Sequence, residues 1–311
     1  MKKLTFTRLG YSKYFTPEFK IKEINKLKSF GEFNPIENKH CDIAITNTDI
    51  NIEQLWLDGQ FQHTKLIIHP NSGHDNFSQR FIEESNIPVI LGNPIRENAV
   101  VNYILGAFFE SLGKTPWVKE WDKSRNWERR DSSRLKGLII GYGHIGRKLE
   151  KCLLPLMEKI FIYDPFQNFS ILESLSEIDY IFICAGLNST SENLINNSFL
   201  SRLKSSVCLI NPARGKIINL NALIEFLSSN STAKAYLDVY PEEPYPLEKL
   251  SHLKNLYLSS HVAGVYENLE ENILNFEEEV IQHFILLSPE EFKNKYKFLL
   301  LNNKIINGQL I

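Results

Sequence analysis

Short apolar runs and helical stretches alternate along the second half of the chain. Residues 135–140, 160–163, 180–184, 207–210, 233–238 and 256–259 are mostly aliphatic, aromatic or β-branched. Such runs suit strands of a parallel sheet covered on both faces, where neither side of the strand meets water. Between them, 145–156, 197–203 and 220–227 read as helices. Strands joined by helical crossovers predict a doubly wound α/β sheet of the Rossmann type.

The first hundred residues repeat the pattern more weakly, with strand candidates at 43–46, 65–69 and 89–91. They predict a smaller, flavodoxin-like α/β domain. Between the halves, 98–112 carries Val101, Ile104, Leu105, Phe108 and Leu112 at helical spacing, with Asn98 placed to cap its start and Gly113 its end. A second amphipathic segment, 269–286, presents Leu269, Ile273, Phe276, Val280 and Phe284. Two helices passing between domains would frame a cleft that opens and closes. The expected division is an inserted domain over 98–285 and a smaller one over 1–97 with 286–311.

Composition narrows the class. A chain of 311 residues with 43% hydrophobic and 23% charged positions has material for two cores. A net charge of −2 supplies no basic excess, so neither nucleic acid nor an anionic membrane is an expected partner. No segment approaches the roughly 18–20 apolar residues of a membrane helix, and MKKLTFTRLG is not followed by the apolar run of a signal peptide. A soluble, cytoplasmic protein is expected. Cys41, Cys152, Cys184 and Cys208 form no C-x-x-C pair and are expected as buried, reduced thiols.

The first chemistry appears at Gly141-Tyr142-Gly143-His144-Ile145-Gly146, after one apolar run and before a helix. In such a loop the first glycine makes the tight turn, the second lets backbone approach a pyrophosphate, and the third lets helix pack on strand. Amide N–H groups at the helix start then hold the phosphate charge. His144 is expected to lend its backbone N–H from the surface. Asp164, 18 residues beyond Gly146 at the end of the next run, can accept hydrogen bonds from ribose hydroxyls and would repel a 2′-phosphate. The expected cofactor is NAD.

Three further stretches end apolar runs: Asn211-Pro212-Ala213-Arg214-Gly215, Asp238-Val239-Tyr240-Pro241-Glu242-Glu243-Pro244 and Ser259-Ser260-His261-Val262-Ala263-Gly264. Ligands of open α/β sheets bind at such carboxyl ends. Hydride transfer to a 2-oxo acid requires a cation for the carboxylate and a proton donor for the developing alkoxide. Arg214 offers a planar fork for the first role, and His261 can give or take the proton. A carboxylate beside His261 would orient it and favour its protonated form, and Glu243 is the candidate.

With these residues the chain resembles the D-isomer-specific 2-hydroxyacid dehydrogenases, most strongly over 138–264. The resemblance places the family's N-x-A-R-G arginine on Arg214, the glutamate before proline on Glu243 and the histidine of its H-x-A-G stretch on His261. It implies cofactor contacts at Gly141, Gly143, His144, Ile145, Gly146, Asp164, Ala213, Asp238 and Gly264, with Asp238 near the nicotinamide carboxamide. Asn71-Ser72-Gly73-His74-Asp75-Asn76 resembles the family's glycine loop, whose amides at Ser72 and Gly73 would receive a substrate carboxylate. His69 and His74 beside it are expected to be structural, and no metal site is expected. The resemblance also implies a small 2-oxo or 2-hydroxy acid as substrate and a homodimer.

The chain departs from the family's pattern at Ser260, where proline is usual, at Val100-Val101-Asn102, where V-A-E is usual, and at Gly186-Leu187-Asn188, where P-L-T is usual. A carboxylate at Glu243 argues against the formate-oxidising branch, which pairs Gln with His. The alternative is an NAD(H)-sensing, corepressor-like binding protein of the same fold.

Overall fold

A computed structural model describes residues 4–34, 41–115, 117–125, 128–169, 175–306 and 309–310. Contacts divide the chain into two units, Met1–Arg96 with Val265–Ile311, and Glu97–Gly264.

In the first unit, β1 (Leu4–Arg8), β2 (Gly31–Asn34), β3 (Ile43–Ile45), β4 (Leu66–His69) and β5 (Val89–Leu91) form a parallel sheet in the flavodoxin-like order β2-β1-β3-β4-β5. Register aligns Phe6 with Ile43, Ile45 with Ile68 and Ile68 with Ile90. Alternate strand residues point to opposite faces. Phe6, Ile43, Ile45, Ile68 and Ile90 pack with Phe19 and Leu27 of α1 (Pro17–Leu27). Ala44, Ile67, Val89 and Leu91 turn the other way, onto Ile52 of α2 (Ile52–Leu57) and Phe81 of α3 (Gln79–Ser85). β2 is the short, mostly polar GEFN, and β1 escaped the apolar pattern because it ends in the fully buried Arg8. Its guanidinium is bonded by the buried carboxylates Glu23 and Glu277, so the charge enters the core with its partners.

The helix expected at 98–112 begins five residues earlier: α4 runs Asn93–Ser111. Pro94, second in that helix, has a pre-set helical φ and needs no N–H there, so Asn98 is not a cap. Gly113, at φ +124°, does follow the last turn.

In the second unit, all six apolar runs are strands: β6 (Lys136–Ile140), β7 (Lys159–Tyr163), β8 (Tyr180–Ile183), β9 (Cys208–Asn211), β10 (Lys234–Leu237) and β11 (Leu256–Leu258). They are parallel, in the order β11-β10-β9-β8-β6-β7. The order reverses at β6, whose neighbours are β7 and β8, and the glycine loop leaves the carboxyl end of that strand. One face of the sheet (Leu138, Ile140, Ile181, Ile183, Leu209, Leu237) packs on Leu223 and Leu227 of a helix at 220–229. The other (Ile139, Phe182, Ile210, Tyr236) packs on Ile104 and Phe108 of α4 and on Leu149 and Leu153 of α5 (His144–Leu153). The later helices are α6 (Asn197–Leu200) and α7 (Leu220–Ser229).

The 269–286 segment is α8 (Leu269–Leu286), as its spacing predicts, but it does not belong to the inserted domain. Ile273, Phe276 and Val280 bury against Phe6 and Phe19, placing it in the first unit. Its successor α9 (Pro289–Lys295) starts with a capping box at Ser288 and Glu291. Cys41 and Cys208 are buried, but Cys152 and Cys184 are only partly so; all four are free thiols.

Candidate active site

The glycine loop has the geometry its sequence requires. Gly141 sits at φ +92°, and a Cβ there would lie 2.5 Å from the Ala185 backbone. A Cβ on Gly146 would meet the Gly141 carbonyl oxygen at 2.1 Å, so helix α5 packs on the strand end only through a glycine. A Cβ on Gly143 would meet nothing within 4 Å. That open face lies at the start of α5, whose N-cap, Gly143, provides no side-chain hydrogen bond. A helix start without a side-chain cap, beside open space, fits a pyrophosphate.

Asp164 does more than end a strand. Its Oδ2 accepts from Tyr142 N at 2.8 Å and from Gln167 Nε2 at 3.0 Å, and its Oδ1 accepts from Phe166 N at 3.0 Å. The carboxylate therefore fastens the glycine loop to the end of β7. Sequence spacing shows where such an acid stands but not that it holds the loop backbone. His144 is half-buried, with its ring 4.0 Å from Glu97, which also pairs with Lys148 at 2.9 Å.

The three downstream stretches form one constructed patch. Asn211, fully buried at the end of β9, turns the first: Oδ1 accepts from Ala213 N at 3.0 Å, and Nδ2 donates to Arg214 O at 3.0 Å. Arg214 Nη1 donates to Ala213 O at 2.7 Å. A Cβ on Gly215 would lie 1.9 Å from the Tyr240 carbonyl carbon, so the Arg214 loop rests directly on the backbone of the second stretch.

That second stretch carries Glu243. Its Oε1 accepts from Tyr240 N at 3.0 Å, and its Oε2 lies 2.7 Å from His261 Nδ1. A carboxylate there can only accept, so Nδ1 carries the proton and Nε2 is left to face outward, where the ring is about half exposed.

Asp238, fully buried, holds the third stretch. Oδ1 accepts from Ser259 Oγ at 2.6 Å and Val262 N at 2.8 Å, Oδ2 from Ala263 N at 2.8 Å, and its carbonyl from His261 N at 2.7 Å. These bonds maintain His261 at φ +55°, a left-handed conformation that costs a non-glycine residue about 1 kcal/mol or more. Tyr240 Oη donates to Ser259 O at 2.8 Å, and Tyr103 Oη lies 2.7 Å from Ser259 Oγ. Motif reading gives Tyr103, Tyr240 and Ser259 no part in the site, although the last two lie within the quoted stretches, because their link to the His261 loop is made through hydrogen bonds across strands. Only the abundance of hydroxyls near the histidine could have hinted at them.

In the first unit, the loop 71–76 is tied down by a buried histidine. His69 Nε2 faces Gly73 O at 2.8 Å and Nδ1 faces Thr46 Oγ1 at 2.8 Å. The carbonyl must accept, so Nε2 is protonated and Nδ1 accepts from the hydroxyl. Burial pulls the His69 pKa down to about 3, which keeps the ring neutral. The Ser72 and Gly73 amide N–H groups have no partner among the described residues. His74 Nδ1 meets Ser72 O at 3.1 Å. Among the described residues no group of His, Cys, Asp and Glu is arranged to hold a metal ion.

A glycine loop at the switch point and an acid after the second strand define a dinucleotide-binding α/β protein, and the same unit carries the Glu243–His261 pair. Comparison with known proteins supplies the family. The model of the D-isomer specific 2-hydroxyacid dehydrogenase NAD binding domain matches residues 107–263. A glyoxylate reductase of Thermococcus litoralis is 32% identical over 261 residues, covering 76% of this chain and 78% of that protein. A D-3-phosphoglycerate dehydrogenase of Haemophilus influenzae is 28% identical over 207 residues, covering 60% of this chain and 50% of that protein. The chain thus spans about half the length of some curated relatives. A D-lactate dehydrogenase of Aquifex aeolicus, solved with NAD and lactic acid, shares the fold at a TM-score of 0.71 and 19% identity, covering 96% of this chain and 99% of that one. The chain belongs to the D-isomer specific 2-hydroxyacid dehydrogenase family, and its second unit contains that family's NAD binding domain.

Proposed function

We propose that the chain is an NAD-dependent D-2-hydroxyacid dehydrogenase that interconverts a small 2-oxo acid and its D-2-hydroxy acid. The observation that carries this reading is the 2.7 Å pair between Glu243 Oε2 and His261 Nδ1, which leaves Nε2 as the group able to exchange a proton. Bound NADH supplies the hydride that the acid's C2 receives. His261 Nε2 gives the proton to the carbonyl oxygen in reduction and takes it back in oxidation. Glu243 fixes the ring's tautomer and direction and stabilises the imidazolium. Arg214 binds the carboxylate and polarises the carbonyl. The Ser72 and Gly73 amides are assigned to an acid's carboxylate as well.

On the cofactor side, the fit favours pyrophosphate against Gly141, Gly143, His144, Ile145 and Gly146, with the adenosine ribose at Asp164. Ala213 and Gly264 are assigned to the nicotinamide end. Asp238 is assigned there through the loop it holds, since its oxygens are already committed to that loop. The NAD role falls to Glu97–Gly264 and the substrate role to the other unit.

A homodimer is supported by Trp117, Val118 and Trp121, which are 92%, 63% and 85% exposed and close together after α4, an apolar display that a partner would cover. The free thiols fit a reducing cytoplasm. No helix among the described residues is long and apolar enough to cross a membrane.

The test is steady-state oxidation of NADH against glyoxylate, pyruvate, hydroxypyruvate, branched and phosphorylated 2-oxo acids. Turnover of at least one is expected. NADH binding without turnover of any acid would support the corepressor-like alternative instead.

A further inference from the structure

Arg96 is the last residue of the first unit and lies in the first turn of α4. Its Nη1 donates to Pro70 O at 2.6 Å. Among the described residues no carboxylate oxygen lies within ion-pair distance of it. The favourable electrostatic neighbour it does have is the hydroxyl of Tyr266, whose proton goes to Ile95 O at 2.7 Å. Arg96 is half-buried, and desolvation holds its guanidinium below the ordinary value. A partly desolvated cation with no ion pair gains from an anion that shares its charge. A guanidinium has five N–H donors in a planar fork, and one carbonyl leaves most of them unclaimed.

The surroundings indicate which anion. Pro70 opens directly into the 71–76 loop. That loop is pinned from behind: Gly92 N donates to His69 O at 2.8 Å and to Asn71 O at 3.0 Å, while His69 Nε2 donates to Gly73 O. Its Ser72 and Gly73 amides are unclaimed among the described residues and suffice for the two oxygens of one carboxylate. The Arg96 fork, bonded to Pro70 O just before that loop, offers further donors. His69 adds no competing charge, because it stays neutral.

We propose that Arg96 is a specificity-determining residue that binds a second anionic group, carboxylate or phosphate, carried by the 2-oxo acid. This rests on the dehydrogenase reading above. The physiological substrate class is then a 2-oxo acid with at least two anionic groups, and acids with one carboxylate are poor substrates.

The test compares kcat and KM of the full chain and of Arg96→Gln with NADH and three sets of acids. Glyoxylate and pyruvate carry one carboxylate, oxaloacetate and 2-oxoglutarate carry two, and phosphohydroxypyruvate carries a phosphate. Losing a charge-assisted pair is expected to lower kcat/KM by roughly 10–100-fold for the acids with a second anion, chiefly through KM. That loss should exceed the loss for glyoxylate and pyruvate at least tenfold, and Arg96→Lys should recover part of it. Whether the dicarboxylates or the phosphate ester suffer more identifies the group bound. An equal loss for all acids, or a parent protein that prefers glyoxylate and pyruvate, overturns the proposal.

If no acid is turned over, the dehydrogenase reading has failed, and binding decides the fate of Arg96. Malonate and inorganic phosphate, compared with chloride at matched ionic strength, should raise the melting temperature of the parent and of His261→Gln but not of Arg96→Gln. No anion-specific rise in the parent overturns the proposal on its own.

Discussion

Ser259 Oγ donates to Asp238 Oδ1 at 2.6 Å, joining the residue after β11 to the residue after β10. A hydroxyl has one hydrogen, and this one goes to a carboxylate, so the 2.7 Å contact with Tyr103 must be a donation from Tyr103 Oη to Ser259 Oγ. The chain Tyr103 to Ser259 to Asp238 therefore runs in one direction and ends on the carboxylate that accepts the Val262 and Ala263 amides. Its function is to hold the strained His261 backbone in place.

Removing the middle of that chain should disturb catalysis more than cofactor binding. Ser259→Ala is expected to lower kcat by about tenfold or more, since small misplacements of a reacting group can cost up to roughly a hundredfold. Tyr103→Phe should have a smaller effect of the same kind. Ser259→Thr, which retains the hydroxyl, should recover most of the loss. NADH titration of each variant provides the control, and a Ser259→Ala protein with the parent's kcat would show that Asp238 positions the loop without its hydroxyl donor.

Asp164 links cofactor choice to loop order, because it both stands where a ribose is assigned and bonds Tyr142 N. Asp164→Ala should weaken NADH by roughly tenfold and narrow the gap between NADH and NADPH, since charge repulsion of a 2′-phosphate is lost. Fluorescence titration with both cofactors measures this. Weakened NADH binding with an unchanged NADH-to-NADPH ratio would mean that the acid serves the loop alone.

His69 gives the first unit a pH dependence whose sign is fixed by burial. The folded-state pKa is pulled down to about 3, below the ordinary histidine value of about 6.5. Below about 6.5 the unfolded chain takes up a proton that the folded chain refuses. The stability His69 contributes is thus complete above that pH and is lost as pH falls towards 3. From pH 7 to pH 5 the parent should lose about 2 kcal/mol more than His69→Gln in urea unfolding. Equal losses would place a charged ring in the folded protein.

Much of the second unit is legible in the sequence, and for a physical reason. Its strands are covered on both faces, so Ile139 and Ile140 or Ile181 and Phe182 are consecutive apolar residues facing opposite cores. β1 was hidden because Arg8 is buried with Glu23 and Glu277, a pairing supplied by residues far along the chain. The boundary of the inserted domain was misplaced because the spacing of α8 reveals an apolar stripe but not which core receives it. The pairing of Glu243 with His261 was legible because residue type and loop position bring an acid and a histidine to neighbouring strand ends, and the two side chains meet at 2.7 Å. Asp238 was half legible: its place at a strand end could be read, but its commitment to Ser259, Val262 and Ala263 depends on a fold that brings two loops together.

The most direct test of the central claim is the paired measurement of kcat and NADH affinity in His261→Gln, with the best 2-oxo acid of the panel. Glutamine retains much of the volume and a polar end but cannot supply an acidic proton. General acid–base catalysis contributes roughly 10²–10⁴-fold, so kcat should fall by that factor while the NADH dissociation constant changes less than about threefold. Parent-like turnover in this variant would contradict the mechanism, because the proton would then come from elsewhere.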